Sequence, residues 1–146
     1  NLGDVSDSAV DTIEYITIAS VGNAADFGNS TATSKNHAAC SSPTRGVAAG
    51  GYGGSPAGYL NIIDYITIAS TGNATDFGDL TVARNGLAAG SSSVRGIFSG
   101  GGDAGSDYNT IDYVTIASTG DAADFGDLVN AVNTPKATSN GHGGLS

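Results

Sequence analysis

The sequence predicts an all-β chain built from three copies of one unit, on three observations. One phrase recurs: TIEYITIASVGNAADFG at 12–28, IIDYITIASTGNATDFG at 62–78 and TIDYVTIASTGDAADFG at 110–126. Its apolar residues alternate and are largely β-branched or aromatic, the pattern of a pleated strand. Gly and Ser interrupt every stretch that could form a helix, and no 3.6-residue apolar period outlasts two turns.

The repeat can be measured. Tyr15, Tyr65 and Tyr113 stand at equivalent positions, 50 and 48 residues apart, and Phe27, Phe77 and Phe125 each follow by twelve. A second phrase, RGVAAGG at 45–51, returns as RGIFSGG at 95–101. The unit is about 49 residues, and the chain reads as a single repeat domain, 1–146, with units near 1–50, 51–98 and 99–146. In phase, Ser146 stops where Asn1 would resume, inside the RGIFSGG element. With no Met at its first position, the chain reads as a processed or excised segment.

Within one unit the elements follow in order. Residues 63–69 (IDYITIA) form a strand, with Asp64, Ile66 and Ile68 on one face and Ile63, Tyr65, Thr67 and Ala69 on the other. Apolar groups on both faces predict a strand covered on both sides. The cluster Ser70-Thr71-Gly72-Asn73 turns the chain. A short strand follows at 75–80 and a small-residue strand at 83–90; Ser91 to Ser93 turn again, and 96–99 gives a fourth strand. Four short strands in about 49 residues match the period of a β-propeller blade, whose stacking covers both faces of each sheet.

An apolar strand ending in Gly-Gly (Gly50-Gly51, Gly100-Gly101), a variable loop, a Tyr strand (Tyr65, Tyr113), a turn and an aromatic (Phe77, Phe125) together resemble the kelch repeat. The pattern departs in having Phe where kelch has Trp and in a wider spacing of the aromatics. The phrase DYITIASTGNATDFGDL, followed by RG-x-x-x-GG, also resembles repeats in structural proteins of marine phages, cyanophages especially, over essentially the entire chain. That resemblance implies a virion or extracellular location, a tail-appendage role among other virion proteins, and a host-facing surface.

Three blades cannot close a ring whose known forms carry about four to eight. The first unit has its Tyr and Phe strands but not the two strands before them, whose counterparts fall near Ala137–Thr138 and Gly144–Ser146. Unpaired strand edges invite pairing. The expectation is therefore strand sharing between termini or between chains: a head-to-tail homo-oligomer, either two chains per six-bladed ring or, if the rotation does not close, a filament. The alternative is a window cut from a longer array.

Charge narrows the partners. Five Lys and Arg against fourteen Asp and Glu leave a net charge of −9, which argues against a nucleic-acid backbone and an anionic membrane surface. No apolar run approaches the ~20 residues of a spanning helix, so no membrane insertion is expected. Cys40 is the lone cysteine, so no intrachain disulfide forms.

Chemistry-bearing residues are few. Asp76 and Asp79, then Asp124 and Asp127, flank Phe-Gly; they suit turns in which the carboxylate bonds nearby amides, with a calcium site as the competing reading. A kinase-like reading of Asp-Phe-Gly fails for want of a nucleotide loop, a Lys strand and a catalytic loop. Arg45 and Arg95 precede the Gly-Gly strand, with Gly143 in the third copy, and are expected to bond a neighbouring blade's carboxylate or carbonyls. His37 and His142 do not repeat and lack partners at metal-ligand spacing; Cys40, aligned with Gly90 and Thr138, reads as a small filler. No nucleophile or acid–base pair recurs, so no enzyme and no catalytic residue is expected, and no cofactor beyond the calcium alternative. The variable stretches 52–61 and 102–110 offer Tyr52, Tyr59 and Tyr108 for stacking on a host glycan, with Asp103 and Asp107 to accept hydroxyls. The competing reading is that each Tyr covers its own blade edge.

Overall fold

The computed structural model describes residues 9–55 and 57–139. Among them the chain is all β, with no helix. In order the strands are β1 (Val10–Tyr15), β2 (Ala25–Lys35), β3 (Ala38–Ser41), β4 (Arg45–Ala49), β5 (Tyr52–Ser55) and β6 (Ala57–Tyr59). They continue as β7 (Ile62–Thr67), β8 (Thr75–Asp79), β9 (Ala88–Ser91), β10 (Arg95–Ser99), β11 (Thr110–Thr115) and β12 (Ala123–Asp127).

They make three antiparallel four-stranded sheets. The second runs β3-β4-β7-β8 and the third β9-β10-β11-β12, each ordered along the chain, so each is a meander. The registers match: Arg45 faces Thr67 and Ala49 faces Ile63, just as Arg95 faces Thr115 and Ser99 faces Ile111. The first sheet differs. It holds β1 and β2, the Tyr and Phe strands of the first unit, extended by the hairpin β5–β6 paired to the end of β2.

The repeated phrase has a local physical meaning. Ile63 pairs with Gly78 but Asp64 with Asp76, so Phe77 is an extra residue in β8, and the same bulge recurs between Ile13 and Glu14 and between Ile111 and Asp112. A bulge re-aims side chains. Here each Phe meets its Tyr edge to face, with Tyr65 and Phe77 centroids 5.9 Å apart at 82°, and the other two pairs alike.

The core lies where the second and third sheets stack, with β3 against β9. Val47, Ile63, Phe77 and Leu80 meet Phe98, Val114 and Ile116 in one buried cluster. Small residues permit the approach: a Cβ on Gly96 would sit 2.8 Å from the Cys40 sulfur.

Three elements differ from expectation. Within the stretch 52–61, predicted as a variable loop, residues 52–55 and 57–59 pair as β5 and β6; in the counterpart stretch the described bridges are Asn85–Gly102 and Gly102–Asp107. The strand predicted over 83–90 begins only at Ala88, because Gly86 takes a left-handed φ of 66° and Arg84 turns into the protein. The strand expected near Ala137–Thr138 is not formed, although Thr138 and Ser139 lie against Gly90 of β9. The strand expected at 144–146, together with His142 and Gly143, lies outside the described residues.

Candidate functional site

The chemistry of the molecule is concentrated where one unit meets the next. Each junction begins with backbone bonds from the turn after the Tyr strand to the Phe strand of the preceding unit. Gly72 and Ala74 donate to the carbonyls of Phe27 and Asn29 at 2.7 and 2.8 Å; Gly120 and Ala122 donate to Phe77 and Asp79 at the same two distances. A side-chain bond completes each set: the Asn29 amide donates to Asn73 Oδ1, and the Asp79 amide to Asp121 Oδ1, both at 3.1 Å.

This contact explains the glycine of the Asp-Phe-Gly phrase. A Cβ on Gly28 would lie 2.3 Å from the Gly72 carbonyl oxygen, and one on Gly78 would lie 2.5 Å from that of Gly120. Gly28 and Gly78 also sit at φ 151° and 144°, where other residues are strained. The sequence reading took these tetrads as local turns or a calcium site. Asp76 Oδ1 accepts the Gly78 amide at 3.1 Å and Asp124 Oδ1 accepts that of Gly126 at 2.9 Å, an Asx-type turn. Asp79 and Asp127 lie exposed, and among the described residues no three of His, Cys, Asp and Glu converge as metal ligands.

A buried carboxylate locks each junction. Asp64 Oδ2 accepts the Thr31 amide at 2.9 Å and its Oδ1 the Thr31 hydroxyl at 2.6 Å. Asp112 takes Thr81 in the same way, at 3.3 and 2.7 Å. Only the second junction adds a cation. Arg84, fully buried, donates through Nη1 to Asp112 Oδ2 at 3.0 Å and to the Val82 carbonyl, through Nε to the Gly100 carbonyl at 2.8 Å, and through Nη2 to the Phe98 carbonyl. A buried pair so fully bonded tolerates its desolvation, while loss of either partner would leave an uncompensated charge. Sequence reading missed Arg84 because it occurs in one unit of three, aligned with Ser34 and Val132; a lone Arg in an otherwise apolar and small-residue strand was the available signal.

The arginines that reading did single out lie on one face of their sheets. Arg45 stacks over Tyr65 at 4.3 Å and donates through Nη1 to the Ile116 carbonyl, which follows β11 of the third sheet, at 2.9 Å. Arg95 stacks over Tyr113 at 4.5 Å and approaches Phe125, but it is exposed. Cys40 is half-buried against Gly96, and burial pushes its thiol up to about 11. His37 is exposed, with Nδ1 3.3 Å from the Ser34 hydroxyl.

The predicted ligand residues fall into two groups. Tyr52 and Tyr59 pair edge to face at 5.2 Å across the β5–β6 hairpin, with the Lys35 ammonium 5.9 Å above Tyr52. In the counterpart loop, the Tyr108 hydroxyl donates to Asp103 Oδ2 at 2.7 Å, and Asp103 Oδ1 accepts the amides of Gly105 and Ser106. Those bonds, the Gly105 amide first, hold the Asp103 carboxyl below its ordinary range, and the bond to Asp103 raises the Tyr108 hydroxyl. Asp107 lies exposed beside Gly102.

Among the described residues, the outermost units display the same junction parts without a partner. Phe77 is 3% exposed but Phe125 53%; Ile116 is 1% exposed but its counterpart Ile18 94%. Gly126 keeps a φ of 138° although, among the described residues, nothing lies within 4 Å of where its Cβ would be. Gly22-Asn23-Ala24 repeats the donor turn at the opposite end, exposed. Comparison with protein-family models and with curated proteins returns no match.

Proposed function

We propose that this chain is a non-enzymatic structural protein whose sheets are kelch-like propeller blades and which assembles head to tail, in a phage virion appendage. One observation carries the assembly reading: the open face of the last unit retains the aromatic, glycine and backbone features of the interior junctions, with Val129 standing where Thr31 and Thr81 meet the carboxylate. Phe125, Arg95 on Tyr113, Gly126 and the Asp127 amide stand where Phe77, Arg45 on Tyr65, Gly78 and the Asp79 amide meet a following unit. The opposite face offers Ile16, Ile18 and the Gly22-Asn23-Ala24 turn, the counterparts of what those groups bind internally. The occupant is a second copy, because the interface it forms continues one already present twice within the chain. Two copies carry six units, within the range of closed propellers, and a rotation that does not close yields a filament. The virion setting rests on the resemblance of the repeat phrase to marine phage structural proteins.

Sedimentation velocity tests the assembly. Wild type is expected to form dimers or longer species as concentration rises, and Phe125→Arg to remain monomeric. A wild type that stays monomeric throughout would end the reading.

A second reading, a self-assembling extracellular fibre without a ligand, is favoured by Tyr52 being engaged by Tyr59 and Tyr108 by Asp103. A glycan array decides between them. Binding lost on Tyr52→Ala, Tyr59→Ala or Tyr108→Ala supports host recognition; binding unchanged in all three removes that site, and no binding leaves the fibre.

A further inference from the structure

We propose that the junction between the first and second units is a binding site for a guanidinium group. The two junctions share their carboxylate clamp but not their filling. At the second, the Arg84 guanidinium occupies a pocket whose acceptors are Asp112 and the carbonyls of Val82, Phe98 and Gly100. By the repeat, the corresponding residues of the first are Asp64, Ala32, Ala48 and Gly50, and the residue in the place of Arg84 is Ser34. All five line one cavity of about 30 Å³.

The cavity exists because larger groups have become small: Arg84 corresponds to Ser34, Phe98 to Ala48 and Leu80 to Ser30. Its volume exceeds the ~10–15 Å³ that a single water needs. Of its lining residues His37 is exposed and Ser34 half-buried, so the cavity is reachable from solvent.

The charge at its floor is uncompensated. Asp64 is 8% exposed, and its Oδ2 accepts the Thr31 amide alone, whereas the same oxygen of Asp112 also accepts Arg84. Among the described residues no cation lies within ion-pair distance of Asp64. A planar cation with several N–H donors suits this acceptor set; an ammonium, with three donors on one atom, reaches fewer of them. The ligand class is therefore a guanidinium compound, free or as the side chain of an arginine peptide, held in the millimolar range given its few atoms.

The experiment is an amide-shift titration of the full chain with methylguanidinium up to about 20 mM, at matched chloride and far below denaturing concentrations. Parallel titrations use methylammonium, calcium chloride and an arginine-containing tripeptide. Saturable shifts at Thr31, Ala48 and Gly50 are expected, with at least a tenfold weaker response to methylammonium. Ser34→Arg, which supplies the cation from within, is expected to abolish the shifts and raise Tm. Asp64→Asn gives the same loss of binding should Ser34→Arg not fold. The tripeptide arm shows whether a chain-borne arginine reaches the site. No saturable shift in wild type, shifts that survive Ser34→Arg or Asp64→Asn, or an equal response to methylammonium or calcium would overturn the assignment.

Discussion

The first and second junctions use the same main-chain bonds, yet one is filled and the other is hollow. Both seat a turn glycine on the Phe strand at 2.7 Å and both lock a buried aspartate onto a threonine. Only the second places an arginine beside the aspartate. The comparison teaches which parts define the repeat. Glycine, turn and carboxylate fix how units approach, because a backbone contact admits no substitute; the side chains that fill the space between are free to diverge.

The largest expected effect breaks that comparison directly. Arg84→Ala should lose about 3–5 kcal/mol in urea unfolding, since Asp112 is left buried and unpaired. Ser34→Ala, at the equivalent place, should move stability by less than about 0.5 kcal/mol. Equal losses would mean that the two junctions do not differ in kind.

Phe77→Ala should lose about 3–5 kcal/mol by emptying the core between the second and third sheets. Phe125→Ala should lose under about 1 kcal/mol, measured where the chain is monomeric. Gly78→Ala and Gly126→Ala share the backbone strain, but only the first meets a neighbouring carbonyl. The first should therefore unfold with about 1–3 kcal/mol less stability than the second. The smallest effect on the fold concerns Cys40. A thiol raised from 9.0 to about 11 carries roughly a hundredfold less thiolate at pH 8. Its alkylation should be slower by about that factor than in the urea-unfolded chain, and should rise steeply only as pH approaches 11. Well below pH 9 the thiol is protonated in both states and adds no pH dependence to stability; between about pH 9 and 11 the unfolded chain ionises first, so stability falls as pH rises.

Much of this was legible because repetition multiplies a weak signal. Three copies of one phrase marked the Tyr and Phe strands, and alternation over 63–69 marked β7 as a strand with apolar groups on both faces. The bulge at Phe77 was not legible, since a residue inserted in one strand shows only against its partner's register. Arg84 escaped because it does not repeat. The β5–β6 pair escaped because its partner, the end of β2, is distant in sequence and its counterpart loop at 102–108 is held differently, by Asp103. The role of Gly28 and Gly78 lay in the next unit, so no reading confined to one copy of Asp-Phe-Gly could find it.

Concentration-dependent hydrogen exchange tests most directly whether the end faces are junctions awaiting a partner. The amides of Gly72, Ala74, Gly120 and Ala122 should be protected at every concentration, being bonded within one chain. Those of Gly22, Ala24 and Asp127 should exchange freely when dilute and gain protection together as concentration rises. If these three stay unprotected while larger species form, the copies meet elsewhere, and the open faces are not what joins them.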